Sequence, residues 1–231
     1  MLSPIKLLVF DLDGTLVDSR LDLAHSVNAV LLSLGREKLP VDVIVSFVGD
    51  GAQDLLRRSL QASGIPLEEA VTAMPRVFPI FMEYYQDHCL DFTLPYPGVI
   101  SVLERFSSHR KAVLTNKPIV PALKILEGLV MKGYFELIVG GDGPHGKKPD
   151  PAGLGYILSA LEALPSETIM IGDSVQDVQT AKAVGCESIA FLEGMGGRQA
   201  LEKASPGMTL ENWNEFPDLL SRFGLPSRQL Q

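Results

Sequence analysis

Aspartate carries the candidate chemistry of this chain, and it does so at two places. Asp11 and Asp13 stand two apart in Asp11-Leu12-Asp13-Gly14-Thr15, and Asp173 and Asp177 stand four apart in Gly172-Asp173-Ser174-Val175-Gln176-Asp177. A carboxylate can attack an electrophile, move a proton or hold a hard cation, and paired carboxylates can divide these tasks. Both motifs directly follow short apolar runs, at 5–10 and 168–171; a third polar group, Thr115-Asn116-Lys117, follows the run 111–114. Ligands of an open parallel sheet bind outside the carboxyl ends of its strands. Neighbouring strands would therefore bring Asp11, Asp13, Asp173 and Asp177 into one small volume. Two carboxylates about 5 Å apart repel by roughly 3 kcal/mol at an effective dielectric near 20. A divalent cation removes that conflict, and Mg²⁺ fits best, because it takes one or two carboxylates and completes its shell with water and phosphate oxygens. A lone Asp-x-Asp-Gly is often only a polar turn; two acidic motifs at separate strand ends make that the weaker reading.

Two other patterns are superficial. A calcium loop needs three alternating acidic or amide positions before its glycine, whereas Gly14 comes directly after Asp13. The stretch from Gly141 to Lys147 matches GxxxxGK but continues as Lys148-Pro149-Asp150-Pro151, with no Ser or Thr to hold magnesium. Pro149 also disfavours helix at Lys148. What that segment offers is a lysine ahead of a stiff Pro-x-Pro, and Lys148 is preferred over Lys147 because the proline restricts its backbone.

Elements must place these residues. The runs 5–10, 111–114, 136–139, 168–171 and 188–192 are short and continuously apolar, as strands covered on both faces should be. Helix-period segments at 99–106, 120–129, 152–161 and 178–184 alternate with them, the last stopped by Gly185. Strand alternating with helix predicts an α/β fold with a doubly wound parallel sheet. The alternation breaks after the first strand. Residues 19–34 read as a helix with Ser19 and Asp22 as its N-terminal capping pair; 52–60 and 76–87 also read as helical, and 41–48 suits helix or strand. Pro75 suits a helix start, while Pro79 is awkward beyond the first turn. The expected division is a core of 1–16 and 91–231, with a helical lobe, 17–90, inserted after strand one and re-entering through Pro95-Tyr96-Pro97-Gly98.

Composition narrows the partners. The chain has 231 residues, 46% apolar, with a net charge of −8. Phosphate backbones select basic surfaces, so this balance argues against a nucleic-acid partner. No apolar run approaches bilayer length, and the first ten residues run too soon into acid for a secretory signal. Cys89 and Cys186 fit no metal or disulfide framework and read as reduced, packed thiols. A cytoplasmic protein with no membrane partner is expected, as monomer or homodimer.

The four motifs together resemble the haloacid dehalogenase (HAD) superfamily. The segment from Phe10 to Ser19 looks like its first motif, Leu114-Thr115-Asn116-Lys117 its second, Lys148-Pro149-Asp150-Pro151 its third and the segment from Gly172 to Asp177 its fourth, in family order. The helical insertion resembles the family's first type of α-helical cap on a HAD-like Rossmannoid core. Within the family, Phe47-Val48-Gly49-Asp50-Gly51-Ala52, Tyr96-Pro97-Gly98-Val99 and Gly140-Gly141-Asp142 look like bacterial phosphoglycolate phosphatases.

The resemblance implies a phosphatase acting on a small phosphorylated metabolite, 2-phosphoglycolate first. Asp11 would be the nucleophile that forms an aspartyl-phosphate, and Asp13 the acid and base. Thr115, Asn116 and the backbone near Leu12 would bind phosphoryl oxygens, and Lys148 would balance charge. Mg²⁺ would be held by Asp11, Asp13 through its carbonyl, and Asp173, with Asp177 steadying them. The cap loop of Gly49, Asp50 and Gly51 would close over the substrate. Asp13 itself favours phosphoryl transfer over dehalogenation, which needs no second acid. Other readings are a phosphatase for pyrophosphate or a sugar phosphate, a phosphomutase of the β-phosphoglucomutase kind, and a silent binding module.

Overall fold

Successive side chains of a strand point to opposite faces of its sheet, and the first strand shows what covers each face. Leu7 and Val9 pack with Ala112, Leu114, Leu154 and Ile157, while Leu8 and Phe10 pack with Val113, Ile169, Ile171 and Trp213. All four strand residues are fully buried. The computed structural model describes residues 5–223; the expected core residues 1–4 and 224–231 lie outside these.

Eight strands are present among the described residues: β1 (Leu7–Phe10), β2 (Val17–Asp18), β3 (Leu94–Pro95), β4 (Arg110–Leu114), β5 (Leu137–Val139), β6 (Thr168–Gly172), β7 (Glu187–Phe191) and β8 (Met208–Leu210). Six form one parallel sheet in the order β5-β4-β1-β6-β7-β8. Chain order therefore reverses direction at β1, between β4 and β6, and that switch is where a doubly wound sheet opens a crevice. The five expected strands are all present. The edge strand β8 was not expected, because Met208-Thr209-Leu210 is too short to stand out as an apolar run. A small antiparallel ribbon, β2 with β3, pairs Val17 with Pro95 and Asp18 with Leu94. It ties together the two chain crossings of the inserted segment.

Between β2 and β3 lie α1 (Arg20–Ser33), α2 (Val41–Val45), α3 (Ala52–Ala62) and α4 (Leu67–His88). The ambiguous stretch 41–48 is thus helical in its first part. The expected break at the prolines does not occur: α4 runs 22 residues through Pro75 and Pro79. Proline removes one helical hydrogen bond and crowds the carbonyl four residues back. Here Ala70, Val77, Phe81 and Tyr85 are buried on the opposite face, both prolines are exposed, and water can take the released carbonyls.

The remaining helices are α5 (Val99–Arg105), α6 (Ile119–Gly128), α7 (Ala152–Ala160), α8 (Val175–Val184), α9 (Arg198–Lys203) and α10 (Phe216–Ser221). Helix α8 ends at Gly185 in the left-handed conformation, as its sequence suggests. Its start was less legible: Ser174 and Asp177 form a reciprocal capping box. The expected Ser19–Asp22 cap is absent. The Ser19 side chain makes no capping bond, and Asp22 instead accepts from Phe92 N, Thr93 N and Thr93 Oγ1 at 2.6–3.1 Å, pinning the return of the chain from α4. The GxxxxGK stretch stays a loop, with α7 beginning only at Ala152. No helix among the described residues is long and apolar enough to cross a membrane.

Candidate active site

The ends of β1 and β6 are held side by side by ladder bonds, which continue past the strand as Asp11 N donates to Ile171 O at 2.8 Å. Asp11 and Asp173 therefore leave adjacent strands at the same rim. Oxygen atoms of Asp11, Asp173 and Asp177 all lie within 4.8 Å of one another, and all three residues are buried. Three of the four expected carboxylates converge. The Asp13 carboxylate turns aside: it accepts from Lys117 Nζ at 2.9 and 3.0 Å and from Ser19 Oγ at 2.5 Å.

Close approach at this rim depends on glycine. Gly14 has φ +82°, and a Cβ there would sit 2.2 Å from Asp173 Oδ2. No other residue type satisfies both the backbone and the space. Asp173 is then fixed by Thr15 Oγ1 at 2.8 Å and by Met195 N at 2.7 Å, donors from loops after β1 and β7.

Lys148 is the buried counterion. Its Nζ lies 2.8 Å from Asp11 Oδ1 and 2.6 Å from Asp177 Oδ1. Burial works against its charge, but Asp11 and Asp177 outweigh that and hold its pKa above the usual lysine value. One ammonium does not neutralise three acids. Burial pushes Asp11 up to about 6 even with Lys148 beside it, and burial with the charges of Asp11 and Asp177 pushes Asp173 up to about 8. Carboxylates so reluctant to ionise, on three oxygen donors gathered in one spot, form a donor set that suits a hard divalent cation. Asp177 also accepts from Ser174 N and Oγ through Oδ2, so both its oxygens already have partners.

The other expected residues divide. Asp11, Asp13, Thr115, Asn116, Asp173, Gly49 and Gly51 line a cavity of about 50 Å³ between the sheet rim and the inserted helices. Leu12 N donates to Asp11 Oδ1 at 2.7 Å and so orients that carboxylate. Asn116 is a brace: its amide donates to Gly49 O at 2.8 Å and to Lys148 O at 2.9 Å, and accepts from Lys148 N at 2.8 Å. Asp50 does not face the cavity, contrary to expectation. Its carboxylate pairs with Arg58 and accepts from Gln176 Nε2 at 2.6 Å, so it fastens the loop to α8. Lys147 lies outside the acid cluster, its Nζ 3.4 Å from Asp50 O.

Sequence reasoning passed over Lys117, Tyr85 and Ser19. Lys117 carried a signal, since it directly follows a strand end. Ser19 carried one as the last residue of the first motif-like segment, whereas Tyr85 carried none, because its contact depends on how the inserted helices sit.

An α/β sheet with acids, a buried lysine and a hydroxyl at its switch point is an arrangement equipped for group transfer to a carboxylate. Residues 8–191 match the family model of haloacid dehalogenase-like hydrolases. The chain is 36% identical to a phosphoglycolate phosphatase of Colwellia psychrerythraea over 224 residues, covering 94% of this chain and 97% of that one. It is 35% identical to the phosphoglycolate phosphatase of Pseudomonas putida over 210 residues, covering 90% and 76%. A predicted phosphoglycolate phosphatase from Haemophilus somnus superposes with TM-score 0.85 at 26% identity, over 95% of this chain and 99% of that one. The chain belongs to the haloacid dehalogenase-like hydrolase family, and it is an enzyme.

Proposed function

We propose that this enzyme is a Mg²⁺-dependent phosphatase that hydrolyses a small phosphomonoester, 2-phosphoglycolate, through an acyl phosphate (aspartyl-phosphate) of Asp11. The observation that carries the reading is the buried group of Asp11, Asp173 and Asp177 bridged by Lys148 at the switch of the sheet. The likeness to phosphoglycolate phosphatases supports the substrate.

Asp11 Oδ1 is held by Leu12 N and Lys148, which leaves Oδ2 to attack phosphorus. As the new P–O bond forms, the ester P–O bond breaks, and Asp13 delivers a proton to the departing alkoxide. Asp13 then takes a proton from water, whose oxygen attacks phosphorus and releases inorganic phosphate, restoring the Asp11 carboxylate. Thr115 Oγ1 and Lys148 would bind phosphoryl oxygens. The Asp11 and Asp173 carboxylates and the Asp13 carbonyl would hold the metal, with Asp177 behind them anchoring Lys148. When bound, Mg²⁺ would offset the negative charge that gathers on the phosphoryl group.

In this reading the segment 17–90 is a cap that opens to admit substrate and closes to exclude water. A cytoplasmic setting belongs to the same proposal. The test is turnover of 2-phosphoglycolate, pyrophosphate and several sugar phosphates, with and without Mg²⁺. Phosphoglycolate should be hydrolysed fastest and only with metal. Its ranking among the poorest substrates would remove the specific assignment, and isomerised sugar phosphate without released phosphate would replace hydrolysis by mutase chemistry.

A further inference from the structure

The cavity wall supplied by the inserted helices is apolar, formed by residues such as Leu23, Leu55, Phe81 and Met82. Tyr85, on α4, brings the one polar side chain to that wall among the described residues. Facing it from the loop after β4 is Lys117, the only cation lining the cavity among the described residues. Lys117 Nζ donates to Tyr85 Oη at 2.5 Å and stands 4.4 Å from the ring centroid, and the Lys117 side chain is 3% exposed. The Tyr85 oxygen accepts from Lys117, so its own hydrogen has no acceptor among the described residues. Burial, with the charge of Asp13 added, pushes the phenol far above its ordinary range and keeps it a donor.

We propose that Tyr85 and Lys117 form the subsite for the far end of the substrate, and that this end is a carboxylate. The inference deepens the phosphatase reading above and rests on it. A second anion placed anywhere else on this wall would lie against hydrocarbon, at a large desolvation cost. The Tyr85 O–H offers a donor to one oxygen of a carboxylate; Lys117, whose ammonium already meets Asp13 at 2.9 and 3.0 Å and Tyr85 at 2.5 Å, would turn from Asp13 to reach the other, and it polarises the phenol that it donates to. Sugar hydroxyls would find few partners on the same wall. Tyr85 comes from the inserted helices and Lys117 from the core. The two already meet at 2.5 Å, so a carboxylate held by both would keep the inserted helices against the core over the phosphate.

The test compares kcat/KM for 2-phosphoglycolate and ethyl phosphate, which has the same chain length but lacks the carboxylate. The wild-type enzyme should prefer phosphoglycolate at least about tenfold, the worth of a hydrogen bond to a charged group. Tyr85→Phe keeps the ring under Lys117 and should reduce that preference about tenfold, mainly through KM for phosphoglycolate. Parallel loss on both substrates would overturn the proposal. The wild-type comparison needs no variant: equal use of the two esters would also overturn it, while leaving the phosphatase reading standing. Failure to hydrolyse any small ester would instead bring down the phosphatase reading, and this one with it.

Discussion

Asp11 sits in a balance that a single atom can upset. Its carboxylate faces Lys148 and the Leu12 amide, beside two further acids, and burial holds its pKa near 6. Asp11→Asn keeps the shape and retains an oxygen for Lys148 but removes the nucleophile. Lys148 also keeps Asp177. Steady-state turnover should fall at least about a thousandfold, with the circular dichroism spectrum unchanged. Near-full activity would end the assignment. At this scale the acids, Thr115 and Lys148 were legible, because each stands just beyond a strand or before a stiff proline pair. The partners of Asp13 were not. Ser19 reaches it from the start of the inserted segment and Lys117 from the core, 6 and 104 residues away along the chain.

Among the elements, the return of the chain from α4 depends on a residue of α1. Asp22 is buried and accepts three donors from Phe92 and Thr93. Asp22→Ala would leave those donors buried without an acceptor, a loss of about 3 kcal/mol. For a chain of this size that lowers the melting temperature by roughly 6–12 °C, readable by differential scanning fluorimetry; a shift under a degree would remove the clamp. Local signals misread this residue as half of a capping pair, since its spacing from Ser19 suits one. They also misread α4, whose two prolines argue for a break that burial of Val77, Phe81 and Tyr85 overrides. Strand and helix alternation, by contrast, was legible almost throughout, because strands buried on both faces are marked by continuous apolar runs.

For the molecule as a whole, the acid cluster is a source of instability that a cation would relieve. Three carboxylates within 4.8 Å share one lysine, and each close pair repels by about 3.5 kcal/mol at an effective dielectric near 20. Mg²⁺ at a hundred times its dissociation constant should add about 2.7 kcal/mol, raising the melting temperature by roughly 5–11 °C. Excess EDTA should reverse the rise, and Asp173→Asn should abolish it. A melting temperature indifferent to Mg²⁺ in the wild-type protein would argue against the metal site. This readout is independent of turnover.

Residue types and their order along the chain were enough to mark the acidic motifs, the strands that precede them and the helical insertion, because these depend on local polarity and periodicity. Which groups meet was decided only by packing. Thr15 reaches Asp173 across 158 positions, and Lys117 meets Tyr85 across 32, from separate elements. No local spacing encodes such pairs; they exist because the sheet sets β1 beside β6 and the inserted helices lie across their carboxyl ends.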